Sequence, residues 1–264
     1  MNKRLGLIGC GNMGSAILSG LIGKRILGPG QIYVYDNVRS KRSSLSKKYR
    51  VRTAKNNLDL VKKSEIVLLA IKPQDLYTVS KETRDAFNSR HTIISILAGT
   101  PIQKLKRAFG TKTKIVRAMP NLGAQVGESV TAVTGNKSSL KTAQVIFLSC
   151  GEVILLPEKY FDSVTAISGS GPAYFFLMME LLTKAGMKKG ISKQSSELLA
   201  IQTAVGAAKL ARQLKSPEHL RKQVTSKKGT TDAALQFLWK KKFPAIFLGA
   251  IDQAVKRAKQ LSKP

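Results

Sequence analysis

Cysteine is nearly absent: only Cys10 and Cys150 occur in 264 residues. That excludes a disulfide framework and a cysteine-built zinc site, and makes a reducing cytoplasm the expected compartment. Long apolar runs are missing too. The longest, around residues 173–179 and 245–250, fall short of the roughly 18 residues a membrane span needs. Residues 1–8 imitate the start of a signal peptide, but glycines break the run and no small-residue cleavage site follows, so they read as a first strand. Histidine is scarce: His91 and His219 lie in no motif, and no His, Asp or Glu spacing suggests a metal ligand set. Acidic residues are few, 15 against 45 Lys and Arg, for a formal net charge of +30. Such a field attracts nucleic acid, anionic membrane or acidic small molecules. The cations come as scattered pairs and one triple, such as Lys47-Lys48, Lys188-Lys189 and Lys240-Lys241-Lys242, with no basic tail or RNA-binding aromatic motif. Solvated faces are therefore expected, with nucleic-acid binding nonspecific at most.

What is present begins with a core: 43% of the residues are hydrophobic, enough for one large domain or two modest ones. The organising stretch runs from Leu5 to Gly14. Apolar residues ending at Ile8 rise into a turn in which Gly9, Gly11 and Gly14 form G-x-G-x-x-G around Asn12, and Met13 to Gly23 continue with helical periodicity. The first glycine permits the tight turn, the second lets a pyrophosphate approach bare backbone, and the third lets helix and strand pack closely. The new helix offers free N–H groups and a positive dipole end to phosphate. A second strand, residues 32–36, ends in Asp36, about 20 residues beyond the motif, where a ribose-binding carboxylate belongs.

Further along, residues 37–49 and 57–63 read as helices, 65–71 as a strand buried on both faces, and the segment to about Phe87 as another helix. Residues 92–98 are a second buried strand, 101–109 a helix, 114–120 a strand, and 129–134 and 151–156 strands flanking a helix at 138–149. This alternation predicts an α/β fold, a doubly wound Rossmann-type parallel sheet over residues 1–157 whose ligands sit beyond the strand C-termini. From residue 158 to 264 no convincing strand remains, and an all-α domain is expected. Its helices are read at 163–186, interrupted by the Ser168-Gly-Ser-Gly-Pro172 motif, then 192–214, 217–224, 230–241 and 244–261. The Ala- and Gly-rich 192–214 helix suits tight packing, and the turn from Ser226 to Thr231 feeds a helix whose first N–H groups could hold an anion.

With both halves in view, the chain resembles the pyrroline-5-carboxylate reductases from end to end. The carriers are Ile8-Gly-Cys-Gly-Asn-Met-Gly14, Ala70-Ile-Lys-Pro73, Arg117-Ala-Met-Pro-Asn121, Ser168-Gly-Ser-Gly-Pro-Ala-Tyr174 and Ser226-Lys-Lys-Gly-Thr-Thr231. The resemblance implies reduction of 1-pyrroline-5-carboxylate to proline, the last step of proline biosynthesis, by hydride transfer from NADPH or NADH without a metal. It also implies dimers formed through the helical half, or larger rings. Carried over by position, Ser226, Gly229, Thr230 and Thr231 bind substrate, with Thr231 near the imine nitrogen. Met119 and Asn121 lie in a segment near the substrate, and Asn57, Ala70, Lys72, Pro73 and Ala98 line the cofactor.

Two departures from the family pattern stand out. Where relatives usually read Ser-Pro-Gly-Gly, this chain has Ser226-Lys227-Lys228-Gly229, which is expected to loosen the turn and disfavour a positive φ at position 228. Leu122-Gly123 replaces the usual Thr-Pro after Asn121. Cofactor choice stays open: Asp36 favours a free ribose diol, while Arg39, Lys41 and Arg42 could neutralise a 2′-phosphate. Two other readings remain. One is a reductase of another cyclic imine or a hydroxyacid, for which Lys184 lacks the accompanying motif; the other is a basic reductase-like protein that binds nucleic acid or another anion.

Overall fold

The computed structural model describes residues 3–214 and 216–262. Contacts divide them into two compact units, one running to Ser170 and taking in the chain from Ala254 onward, the other Gly171–Gln253. This partition returns the last residues to the first unit, whereas the change in sequence pattern lies at residue 157/158.

The first unit opens with β1 (Leu5–Ile8), α1 (Asn12–Gly23), β2 (Ile32–Tyr35), α2 (Arg39–Tyr49), the two-residue β3 (Arg52–Thr53) and α3 (Asn57–Lys62). It continues with β4 (Ile66–Leu69), α4 (Leu76–Thr83), β5 (Thr92–Ser95), α5 (Ile102–Phe109), β6 (Lys114–Met119), β7 (Ser129–Gly135), α6 (Lys137–Leu148), β8 (Gly151–Leu155) and α7 (Phe161–Val164). The strands form one sheet in the order β3-β2-β1-β4-β5-β6-β7-β8. Side chains alternate across it. Leu5, Leu7, Ile66, Leu68, Ile94 and Val116 join α1 and α6 in one apolar layer, while Ile8, Val67, Leu69, Ile93 and Ile115 join α3, α4 and α5 in the other. A strand covered on both faces must be apolar at every position, and this is why β4 and β5 read as unbroken apolar runs.

The sheet is not wholly parallel, contrary to the sequence expectation. β6 and β7 pair antiparallel, with Val116 opposite Gly135 and Met119 opposite Ala132. Residues 120–128 between them hold one 3-10 turn, Leu122–Val126, and a parallel return needs a crossover of about a dozen residues or more. The exposed β3 carries no apolar pattern and was invisible in the sequence. α2 starts at Arg39 rather than Asn37, because the N–H of Val38 is held by the side chain of Asp36 at 2.8 Å. The expected interruption near Ser168 is a π turn, Thr165–Gly169, in which the Ser170 N–H donates to the Thr165 carbonyl at 2.8 Å.

The second unit is helical: α8 (Gly171–Lys188), α9 (Lys193–Leu214), α10 (Pro217–Gln223), α11 (Thr230–Lys240) and the first half of α12 (Phe243–Ser262). α8 packs on α9, and a Cβ at Gly186 would lie 2.6 Å from the Ser196 hydroxyl, so the two backbones approach closely there. Tyr174 meets Phe247 edge-on with ring centroids 5.8 Å apart. Most of this unit's apolar side chains remain open, among them Phe175, Leu198, Ile246 and Leu248. No helix among the described residues is long and apolar enough to cross a membrane.

Candidate active site

The turn after β1 is built by three glycines with different reasons. Gly9 has φ +99°, and a Cβ there would come within 2.5 Å of the Ala70 carbonyl oxygen at the end of β4. A Cβ on Gly14 would run into the Gly9 carbonyl. Gly11 caps α1 with no side-chain hydrogen bond, and a Cβ there would meet nothing within 4 Å. The space beside Gly11 and the open start of α1 are the cradle that an approaching phosphate requires.

Asp36 secures this turn. Its Oδ2 accepts from the Cys10 N–H and its Oδ1 from the Val38 N–H, each at 2.8 Å, while Arg42 donates to its carbonyl at 2.9 Å and lies 5.1 Å above the Tyr35 ring. The expected ribose ligand is thus also a tie between the glycine turn and the β2–α2 loop, with lone pairs left to accept more. Burial, reinforced by the Asp36 charge, pushes the Cys10 thiol up to about 12, so it stays protonated and unreactive.

A cleft of about 360 Å³ gathers Ile8, Gly9, Gly11, Asp36, Asn57, Ala70 and Lys72 from four separate segments, includes Lys41, expected near a 2′-phosphate, and adds Tyr35, Val38 and Gln74, which the sequence reading had not placed there. Asn57 is 3% exposed; its Nδ2 donates to Glu82 at 2.7 Å, yet its Oδ1 has no partner. A buried polar atom left open at the wall of a cleft fits a polar ligand. Asn12, Met13 and Gly14 form the first turn of α1, and Arg39 opens α2. Pro73 lines a neighbouring depression instead. Ala98 lies outside the cleft, beside Gly99, whose φ of +62° lets the loop pass against Leu261 near the C-terminal end of α12.

Met119 and Asn121 belong to a second cluster in the same unit. Asn121 donates from Nδ2 to the Ser168 hydroxyl at 3.3 Å and receives the Gly123 N–H at 3.0 Å; its own N–H donates to Ser129 at 3.1 Å. A Cβ on Gly169 would sit 2.6 Å from the Met119 methyl. Two motifs 47 residues apart are therefore joined at the π turn. Below them Arg117, 4% exposed, pairs with Glu158 at 3.1 Å and lies 4.8 Å over the Phe161 ring, while Glu158 also accepts from the Ile102 N–H at 2.8 Å.

The third cluster lies in the second unit. Gly229 is the N-cap of α11; its N–H donates to the Ser226 carbonyl at 3.0 Å, and a Cβ would strike the Ser226 side chain. Asp232 reaches back to accept the Lys228 N–H at 3.0 Å and also accepts from Gln236 at 3.1 Å. Among the described residues, nothing accepts from the N–H groups of Thr230, Thr231 or Asp232. Lys228 has φ +62°, so position 228 keeps the left-handed conformation that its loss of glycine was expected to disfavour.

A reductase of 1-pyrroline-5-carboxylate from Synechocystis is 38% identical over 268 residues, with all of both chains covered. The chain belongs to the pyrroline-5-carboxylate reductase family. The Escherichia coli pyrroline-5-carboxylate reductase is 35% identical, again over both full lengths. A family model described as pyrroline-5-carboxylate reductase dimerisation matches residues 158–261, and one described as NADP oxidoreductase, coenzyme F420-dependent, matches residues 4–99. Among solved structures, the pyrroline-5-carboxylate reductase of Coxiella burnetii superposes with a TM-score of 0.92 at 34% identity, covering all of both chains. The Plasmodium falciparum enzyme, solved with NADP bound, gives 0.89 at 31% identity over 99% of each.

For a pyrroline-5-carboxylate reductase, the sequence had missed Arg117, Glu158 and Ser168 as partners of the Met119–Asn121 segment. Arg117 and Ser168 did stand inside quoted motifs, so the signal lay in the motif and its meaning in the packing. Among the described residues, no three His, Cys, Asp or Glu side chains gather in a group that could hold a metal ion.

Proposed function

We propose that the protein reduces 1-pyrroline-5-carboxylate to L-proline with NAD(P)H as hydride donor. The observation that carries this reading is the row of unpartnered N–H groups at Thr230, Thr231 and Asp232, an anion cradle at the start of an 11-residue helix in a chain of this family. The substrate's carboxylate sits on that row. The Thr231 hydroxyl orients the imine nitrogen and relays to it a proton that solvent replaces, while Ser226 shapes the turn and Met119 and Asn121 line the substrate side. The Gly9–Gly14 turn holds the dinucleotide's pyrophosphate, Asp36 and Asn57 its adenosine half, and Ala70, Lys72, Pro73 and Ala98 the rest. The bound dinucleotide supplies the hydride that makes the imine carbon saturated.

We assign cofactor binding to residues 1–157, and substrate binding and dimerisation to residues 158–264. The protein is a homo-oligomer, built of dimers through its helical half and able to grow into a larger ring, and it works in the cytoplasm. NADPH is the preferred donor, because Lys41 lines the cleft where a 2′-phosphate would enter. Lys41→Gln should raise the KM for NADPH about tenfold, the worth of one charge-assisted phosphate contact, and leave the KM for NADH within about twofold.

The decisive assay follows nicotinamide oxidation on adding 1-pyrroline-5-carboxylate to the purified protein. Thr231→Val is expected to lower kcat/KM about 100-fold; absence of imine-dependent oxidation in the unmodified protein overturns the assignment.

A further inference from the structure

Two adjoining depressions on the first unit lie on the α4/α5 face. One, of about 630 Å³, is lined by Tyr77, Lys81, Arg84, Lys104 and Arg107 among others. The next, of about 570 Å³, shares Arg84 and Arg107 and adds Lys106 and Lys112. Six cations from separate segments thus converge on two adjoining hollows, and Asp85 is the one acidic side chain in either lining. Among the described residues, none of the six forms an ion pair or a side-chain hydrogen bond. Like charges held together without partners repel, and a polyanion relieves that repulsion. Tyr77 stands beside them 76% exposed, an aromatic face in a cationic groove.

We propose that the α4/α5 face binds single-stranded nucleic acid, with Arg84, Arg107 and the neighbouring lysines on the phosphates and Tyr77 stacking on a base. A cationic track with an exposed aromatic is the arrangement that holds unpaired strands without reading their sequence. A duplex keeps its bases stacked on each other and offers Tyr77 nothing to stack on. The hollows adjoin the glycine-turn cleft without coinciding with it: Gln74 borders both, and Pro73, assigned above to the cofactor, lines the larger hollow.

The test is fluorescence anisotropy of the full chain with a labelled, mixed-sequence DNA strand of about 16 nucleotides, over a salt series and with NADPH saturating. Arg84→Glu with Arg107→Glu should weaken binding at least about tenfold and flatten the log–log salt slope by about 1.4, the share of two lost phosphate contacts. Lys81→Glu with Lys104→Glu should do the same, which keeps the test alive if the first pair fails to fold by melting temperature. Lys47→Glu with Lys48→Glu on α2 changes net charge equally and should cost less than about twofold if contacts at the α4/α5 face govern binding. Tyr77→Ala should cost about tenfold. Equal weakening by the α2 pair, displacement of the strand by NADPH, tighter binding of the matching duplex, or no effect of Tyr77→Ala each overturns the proposal.

Discussion

Gly9, Gly11 and Gly14 look alike in the motif, but the space around them differs, and so should the outcome of replacing each with alanine. At Gly9 the added methyl meets backbone and the φ is positive, so Gly9→Ala should destabilise the fold as well as abolish cofactor binding. At Gly11 the methyl meets nothing, so Gly11→Ala should keep the parent melting temperature while the KM for NAD(P)H rises more than about tenfold, the methyl standing where the pyrophosphate must come. An unchanged KM would remove Gly11 from the site. Lys228 is the opposite case, a side chain where glycine is at ease. Lys228→Gly should raise stability by about 0.5–1 kcal/mol, read as a higher urea midpoint. His91 is wholly buried, its Nδ1 accepting the Asn88 N–H at 3.1 Å and its Nε2 unpartnered. Burial, assisted by Arg90, holds it below the ordinary imidazole value of 6.5. Above that value both folded and unfolded chains carry it neutral. Below it the unfolded chain takes a proton that the folded chain refuses, so stability falls as pH drops from 6.5 through the lowered folded value. Urea midpoints at about pH 7 and pH 5 should show a drop that His91→Gln reduces; an equal drop in both proteins would assign it elsewhere.

At the scale of elements, the strands and helices of the first unit were legible because period and run length are local properties. β4 and β5 announce themselves as apolar runs, and α11 by its Gly229 cap and following threonines. The direction of β7 was not legible, since it depends on how short the connection from β6 is and on which neighbour is free to pair. The tie across β6, α5 and α7 was hidden as well. Arg117 stood in a quoted motif without a role of its own, yet it is buried against the Phe161 ring and paired with Glu158. Glu158→Ala should cost about 2–3 kcal/mol in urea unfolding, below the full penalty for a broken buried pair because the carboxylate side is 35% exposed. A loss under about 0.5 kcal/mol would make the pair an ordinary surface contact.

At the scale of the whole molecule, two surfaces ask for partners. The helical unit leaves Phe175, at 68% exposure, in company with Leu198, Ile246 and Leu248, far more open apolar side chain than a lone chain carries comfortably. Phe175→Glu with Leu198→Glu should shift the protein to monomer in sedimentation, and an unchanged sedimentation coefficient would place the oligomer contact elsewhere. The other surface is cationic. In the sequence the lysines and arginines fall in scattered pairs and one triple, and that spacing along the chain says nothing about which segments fold side by side. The glycine spacing, the buried apolar runs and the Gly-Thr-Thr turn were readable from residue order, since each acts within a few neighbouring residues. Long-range packing alone set Oδ2 of Asp36 on the Cys10 amide, brought Asn121 to Ser168 and drew six unpaired cations to one face, because those outcomes depend on contacts between segments far apart in the chain.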